Sequence, residues 1–119
     1  MFEASCHCGG VKLKTAKSPE TITSCNCSIC HRLGALWGYY SADEVEITQD
    51  KELRGYSWGR EKLTFHSCEN CGCTTHYTAV RDDGTHRVAI NTRMAPIAET
   101  KNIHIRYFDG ADSWKYLND

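Results

Sequence analysis

Cysteine restricts this chain more than any other residue type, because its eight copies fall in three tight groups: Cys6 and Cys8 in "CHC", Cys25, Cys27 and Cys30 in "CNCSIC", and Cys68, Cys71 and Cys73 in "CENCGC". Spacings this close let two thiolates of one loop grip a single tetrahedral ion, whereas C-x-C is a strained choice for a local disulfide. Gly9, Gly10 and Gly72 stand beside these groups and suit loops that turn backbone N–H groups toward sulfur in unusual conformations. The competing reading is a disulfide framework, which needs an oxidising compartment. The start, "MFEASCHCGG", has no apolar run behind a basic stretch and reads as neither signal nor transit peptide. The expected location is therefore cytoplasmic, where thiols stay reduced and metal is the better use for them.

Length and charge narrow the function. A chain of 119 residues reads as a single domain, 1–119, whose modest core needs a supplement such as bound metal. Fourteen basic against fifteen acidic side chains give a net charge of -1 with no dense Lys/Arg tract. This offers little attraction to a phosphate backbone, so no nucleic-acid partner is expected. No apolar run is long enough to span a bilayer, so no membrane partner is expected either. Monomer and homodimer both fit.

The hydropathy pattern is mostly short alternating runs broken by Gly, Asp and Asn, which predicts a mainly β domain. "VKLKT" (Val11 to Thr15), "VEIT" (Val45 to Thr48), "KLTFHS" (Lys62 to Ser67), "THYTAV" (Thr75 to Val80) and "HIRYF" (His104 to Phe108) each read as a half-buried strand. "RDDGTH", Arg81 to His86, predicts a hairpin turn, with "VAINTR" as its return strand. "SICHRLG" predicts one helical turn stopped at Gly34. No repeat or linker is visible.

Spacing alone does not assign sulfurs to ions. One division pairs Cys6 and Cys8 with Cys68 and Cys71 in a closed four-cysteine site that ties two distant hairpins together. It leaves Cys25, Cys27 and Cys30 as a three-thiolate site. A zinc with three protein ligands keeps a position for water or substrate, the arrangement of catalytic zinc. Cys73 has two readings: a fourth ligand that closes this second site, or a free buried thiol.

The order C-H-C-G-G, then C-x-C-x-x-C followed by "HRLGA", then "CENCGCTTHY", then "INTR", resembles the glutathione-dependent formaldehyde-activating enzyme family, also called centromere protein V-like. The resemblance runs from Cys6 to the "YFDGADSW" ending, and three cysteine motifs in the right order are a specific signal. It implies a zinc-bearing β-tent of twisted antiparallel sheets with two zinc ions. Cys6, Cys8, Cys68 and Cys71 would hold the structural ion, and Cys25, Cys27 and Cys30 the catalytic one. The implied reaction is addition of glutathione to formaldehyde to give S-hydroxymethylglutathione, formally a carbon–sulfur lyase reaction run in reverse. The implied partners are a small glutathione-like thiol and an aldehyde.

Glutathione carries two carboxylates, so its pocket should present cations or amide donors. Arg32 follows the third cysteine of its group, and Asn91 and Arg93 share one face of the "VAINTR" strand while Val88 and Ile90 take the other. These three are the expected substrate-binding residues, with a solvated surface charge as the alternative for Arg32. Trp37, Tyr39 and Tyr40 either wall the pocket or fill the core. His76 is either a ligand or proton relay, or a hydrogen-bonded strand histidine. His7 should face solvent, His66 is undistinguished, and Trp58 and Trp114 read as packing residues. The alternative function is a non-catalytic protein-interaction module with both metal sites structural. A zinc hydrolase is disfavoured, because there is no H-E-x-x-H motif and no three-histidine set.

Overall fold

The structure, a computed structural model, describes residues 1–59 and 62–117. Eleven strands, two short helices and two 3₁₀ turns make up the described residues. The strands are β1 (Phe2–Ser5), β2 (Val11–Thr15), β3 (Thr21–Cys25), β4 (Trp37–Ser41), β5 (Val45–Gln49), β6 (Leu53–Tyr56), β7 (Leu63–Cys68), β8 (Thr74–Val80), β9 (His86–Asn91), β10 (His104–Phe108) and β11 (Tyr116–Leu117). The helices are α1 (Ser28–Leu33) and α2 (Ile97–Thr100). The mainly β expectation holds. No helix among the described residues is long and apolar enough to cross a membrane.

Two sheets form, a three-stranded one in the order β1-β2-β5 and an eight-stranded one in the order β11-β10-β3-β4-β9-β8-β7-β6. All pairings are antiparallel except β3 with β10, which run parallel from Thr21↔His104 to Cys25↔Phe108. This departs from a wholly antiparallel fold. The chain leaves β9 through the 3₁₀ turn Thr92–Met94 and α2, and that crossover carries it back so that β10 enters the sheet in the same direction as β9 and β3.

The eight-stranded sheet is buried on both faces at its centre. One face sends Tyr40, Val88 and Ile90 against Phe2, Ala4, Val11 and Leu13 of the small sheet. The other gathers Trp37, Phe65, Tyr77, Ala79 and Ala89 under Cys30, Ala35 and the partly buried Ile29 and Leu33 of α1. This is why Val88, Ala89 and Ile90 are all buried, although half-buried strands alternate. Trp37, with no exposed surface, packs edge-on to Tyr77 at 4.8 Å between ring centroids and tilted to Phe65 at 6.0 Å. Its truncation to alanine would cost about 3–5 kcal/mol.

The hairpin turn forms where Asp-Gly predicts it. Gly84 has φ 86°, Arg81 N donates to Thr85 O at 2.8 Å, and the Asp83 carboxylate accepts from Thr85 N and Oγ1. Its return strand ends at Asn91, and Arg93 lies in the following 3₁₀ turn. Asn91 and Arg93 therefore do not share a strand face; the Asn91 side chain accepts from Arg93 N at 3.2 Å and starts the turn, as N-cap asparagines do. Trp58 and Trp114 are 48% and 70% exposed, so neither is a core residue; Trp114 lays its ring edge-on to Phe108.

Candidate metal centres

Two glycine-closed turns, one spanning three residues and the other four, build the four-thiol group. In the first, Gly9 N donates to Cys6 O at 3.0 Å, and in the second Gly72 N donates to Cys68 O at 2.8 Å. Gly9 and Gly72 take φ 78° and 82°, the left-handed region that glycine enters without steric cost. Each turn folds its cysteines toward a common centre, and the sulfurs of Cys6, Cys8, Cys68 and Cys71 lie within 4.8 Å of one another. The Cys6–Cys8 and Cys8–Cys68 separations are 3.6 and 3.7 Å. A tetrahedral ion with metal–sulfur bonds of about 2.3 Å sets its ligand sulfurs about 3.8 Å apart, so the donor set fits such an ion. Burial pushes the Cys6 thiol up to about 11, while N–H groups led by that of Cys73 hold Cys71 down at about 5. Amides directed at sulfur stabilise the thiolate that a metal requires.

The three-thiol group stands at the junction of β3 and α1. Cys25 ends β3, Cys27 is the N-cap of α1, and Cys30 lies within the helix, 7% exposed. The helix stops at Gly34, whose φ of 64° and N–H bond to Cys30 O make the expected left-handed cap. The three sulfurs lie within 4.8 Å of one another. Trp37 Nε1 donates to Cys30 Sγ at 3.3 Å, and Cys27 N to Cys25 Sγ at 3.5 Å. The Cys30 thiol, aided by the amides of Cys27 and Gly110, holds Cys25 down at about 6, and the same contact with burial pushes Cys30 up. Of this pair, Cys25 is the thiol held toward the thiolate form.

Among the described residues no histidine, carboxylate or further cysteine joins the three. Cys73 packs against the core beside the four-thiol group, with Cys6 and Cys68. Its carbonyl accepts from Cys68 N at 3.0 Å, which anchors it in that turn and keeps it from closing the three-thiol group. His76 joins neither group. It is buried, bonded through Nδ1 to Thr75 Oγ1 at 2.8 Å and stacked on His66 at 4.5 Å. His7 is exposed.

Arg32, Asn91 and Arg93 surround the C-terminal end of α1. Arg32 Nη1 donates to Ser28 O at 2.9 Å, and Arg93 Nε donates to Gly34 O; both residues are exposed. Asn91 is buried, accepts from Leu36 N and donates to Thr74 O. Trp37 is both core and wall of the three-thiol group, Tyr40 belongs to the opposite core, and Tyr39 is half-buried on the thiol side.

Two further features have no clear sequence signal. A Cβ on Gly110 would lie 2.8 Å from Cys25 Sγ and 3.1 Å from Cys27 Cβ, so glycine is the residue that fits there. Its loop is pinned by Asn26 Nδ2 donating to Asp109 Oδ1 at 3.1 Å and by Ala111 N donating to Asn26 Oδ1 at 3.0 Å. The other feature is Tyr77 and Arg87, which lie on the same sheet face as Trp37. A cleft of about 1100 Å³ lies elsewhere, lined by Lys12, Lys14, Cys73, Arg93 and Glu99 among others. It contains none of the three sulfurs at 25, 27 and 30, so reactive groups rather than volume locate the site.

A crystal structure of a Rhodobacter sphaeroides protein is similar in fold, with a TM-score of 0.71 at 20% identity over 89% of this chain and 99% of the other. No curated protein matches by sequence. The family model for the glutathione-dependent formaldehyde-activating enzyme matches residues 1–107. With nearly the whole chain and all three cysteine groups inside that match, the protein belongs to the glutathione-dependent formaldehyde-activating enzyme family.

Proposed function

We propose that this protein is a zinc-dependent enzyme that joins glutathione or a related thiol to formaldehyde or another small aldehyde, a carbon–sulfur lyase reaction run in reverse. The observation that carries this reading is the three-thiol group with no fourth donor among the described residues, set beside a four-thiol group that has its full complement. Soft thiolate sets favour zinc among the common divalent ions. Cys6, Cys8, Cys68 and Cys71 then form the structural site and Cys25, Cys27 and Cys30 the catalytic one.

Zinc bound at the catalytic cysteines would lower the pKa of an incoming thiol and deliver it as a thiolate nucleophile. The protein's own part is to place and shield that encounter. Trp37 fixes Cys30 through its N–H···S bond, and Gly110 lets the 109–113 loop close over Cys25 without a side chain in the way. Ile29 and Leu33 cover the apolar side, limiting water where the aldehyde carbon must meet sulfur. Arg32 and Arg93 remain the proposed outer cations, with Asn91 a proposed substrate-binding residue that also caps the Arg93 turn. All eight cysteines are free, which suits a reducing cytoplasm.

Exchange NMR of ¹³C-formaldehyde with glutathione, with and without protein, tests the proposal. The zinc-loaded protein should accelerate exchange, and Cys27→Ser should remove the acceleration while circular dichroism stays native. Exchange unchanged by the wild-type protein would refute it.

A further inference from the structure

Arg87 occupies an unusual position on the thiol face of the eight-stranded sheet. It is half-buried, and its Nε is buried without an acceptor. The one ion pair among the described residues is Lys62–Asp82, so no carboxylate of the described chain compensates Arg87. Its guanidinium instead lies over the Tyr39 ring, 3.6 Å from the centroid. A cation held by an aromatic face while an N–H goes unpaired is costly to bury. Such a group is accounted for when an anion completes it.

A continuous set of contacts links this cation to the reactive sulfurs. Trp37 donates to Cys30 and packs on Tyr77 at 4.8 Å. Tyr77 and Tyr39 flank Ala89 from the two neighbouring strands, on the face that also carries Arg87. Register explains the proximity. Trp37 pairs with Asn91, Tyr39 with Ala89 and Ser41 with Arg87, while Ala89 also pairs with Tyr77, so all these side chains project from one face. Tyr39, beneath the guanidinium, stands two residues along β4 from Trp37, a backbone rise of roughly 7 Å. One peptide residue beyond a cysteinyl thiol spans a similar distance, as two residues of extended chain cover about 7 Å.

We infer that Arg87, seated on Tyr39 beside Tyr77, forms the carboxylate-binding arm of the site, selecting a cysteinyl peptide whose carboxylate lies about one residue from its thiol. The inference rests on the proposed thiol chemistry and names the part of the thiol substrate that the protein reads. Arg–carboxylate pairing is geometrically selective, whereas Arg32 and Arg93 already spend donors on the ends of α1.

Binding separates this inference from the chemistry. Titration of S-methylglutathione, which cannot react with formaldehyde, into zinc-loaded protein followed by ¹⁵N chemical shifts should show saturable binding. Arg87→Gln should weaken it at least 10-fold, Arg87→Lys should restore part of the affinity, and the ester of the glycyl carboxylate alone should bind wild type as weakly as Arg87→Gln binds the acid. In exchange kinetics Arg87→Gln should raise KM for glutathione by a larger factor than it changes turnover of 2-mercaptoethanol, a thiol without a carboxylate. Equal affinity of wild type and folded Arg87→Gln for S-methylglutathione, equal affinity for acid and ester, or absence of wild-type binding overturns the assignment. Absence of accelerated exchange with binding intact overturns the catalytic reading alone.

Discussion

Replacing Gly110 with alanine should loosen metal at the three-thiol group without removing any ligand. The new Cβ would stand 2.8 Å from Cys25 Sγ, 3.1 Å from Cys27 Cβ and 3.6 Å from Phe108 Cδ2. Non-bonded carbon contacts settle at about 3.5–4.0 Å, so the Cys25 sulfur must recede by roughly 0.7 Å or the loop must lift. Metal–sulfur distances hold to about 0.2 Å, several times less than this displacement. Lifting the loop strains the hydrogen bonds between Asn26, Asp109 and Ala111. Overpacking of this kind costs about 1–3 kcal/mol, and because the thiols are most constrained when metal-bound, the cost should fall mainly on that state. At about 1.4 kcal/mol per decade, affinity at this group should drop roughly 5- to 150-fold. Competition against a chromophoric zinc chelator should resolve two classes of site, with only the weaker one shifted in Gly110→Ala. Near-ultraviolet circular dichroism should stay native. Two unshifted sites would refute the contact between the 109–113 loop and the metal ligands.

The two groups should also differ in what they do for stability. Cys68→Ser, at a residue 1% exposed that helps tie the residue 6 turn to the residue 68 turn, should remove one metal equivalent and the cooperative thermal transition together, whereas Cys27→Ser should lose one equivalent and keep a transition. Trp37→Phe keeps an aromatic ring but deletes the N–H donated to Cys30; a loss of about 1 kcal/mol, or roughly 5-fold in affinity at the three-thiol group, is expected in the same chelator assay. Burial, followed by the charge of His66, depresses His76 from 6.5 to about 3. The folded state therefore binds fewer protons than the unfolded one between those values, and stability present above pH 6.5 is lost as pH falls toward 3. Between pH 7.5 and 5 this amounts to about 2 kcal/mol, and urea unfolding of metal-loaded His76→Gln should be less pH-dependent than wild type by that amount. Equal pH slopes would show that His76 is not held neutral by its burial.

Local signals were legible wherever the physics is local. The alternation of "VKLKT" and "HIRYF" marks β2 and β10 to the residue, Asp-Gly places the hairpin turn, and Gly34 ends α1, because each depends on side-chain period or on the backbone freedom of one residue. The cysteine spacings likewise mark the three ligand-bearing loops, since two ligands of one loop must be neighbours in sequence, but not which loops share an ion. Strands buried on two faces were less legible: β4, "WGYYS", serves both cores and so has no polar face to betray it. Nor could the sequence show that β10 lies parallel to β3, which brings the 109–113 loop and Gly110 against Cys25 across more than eighty residues.

What the sequence determined by itself, then, is a thiol-rich β domain with two candidate metal centres, through spacing, alternation and turn chemistry. The tertiary structure decided which sulfurs meet, that Cys73 stays beside the four-thiol group, and that Arg87 and Tyr39 share a sheet face with Trp37, which bonds Cys30 of the three-thiol group. Those outcomes depend on strand register, and register is set by how distant apolar faces pack against one another rather than by any short run of residues.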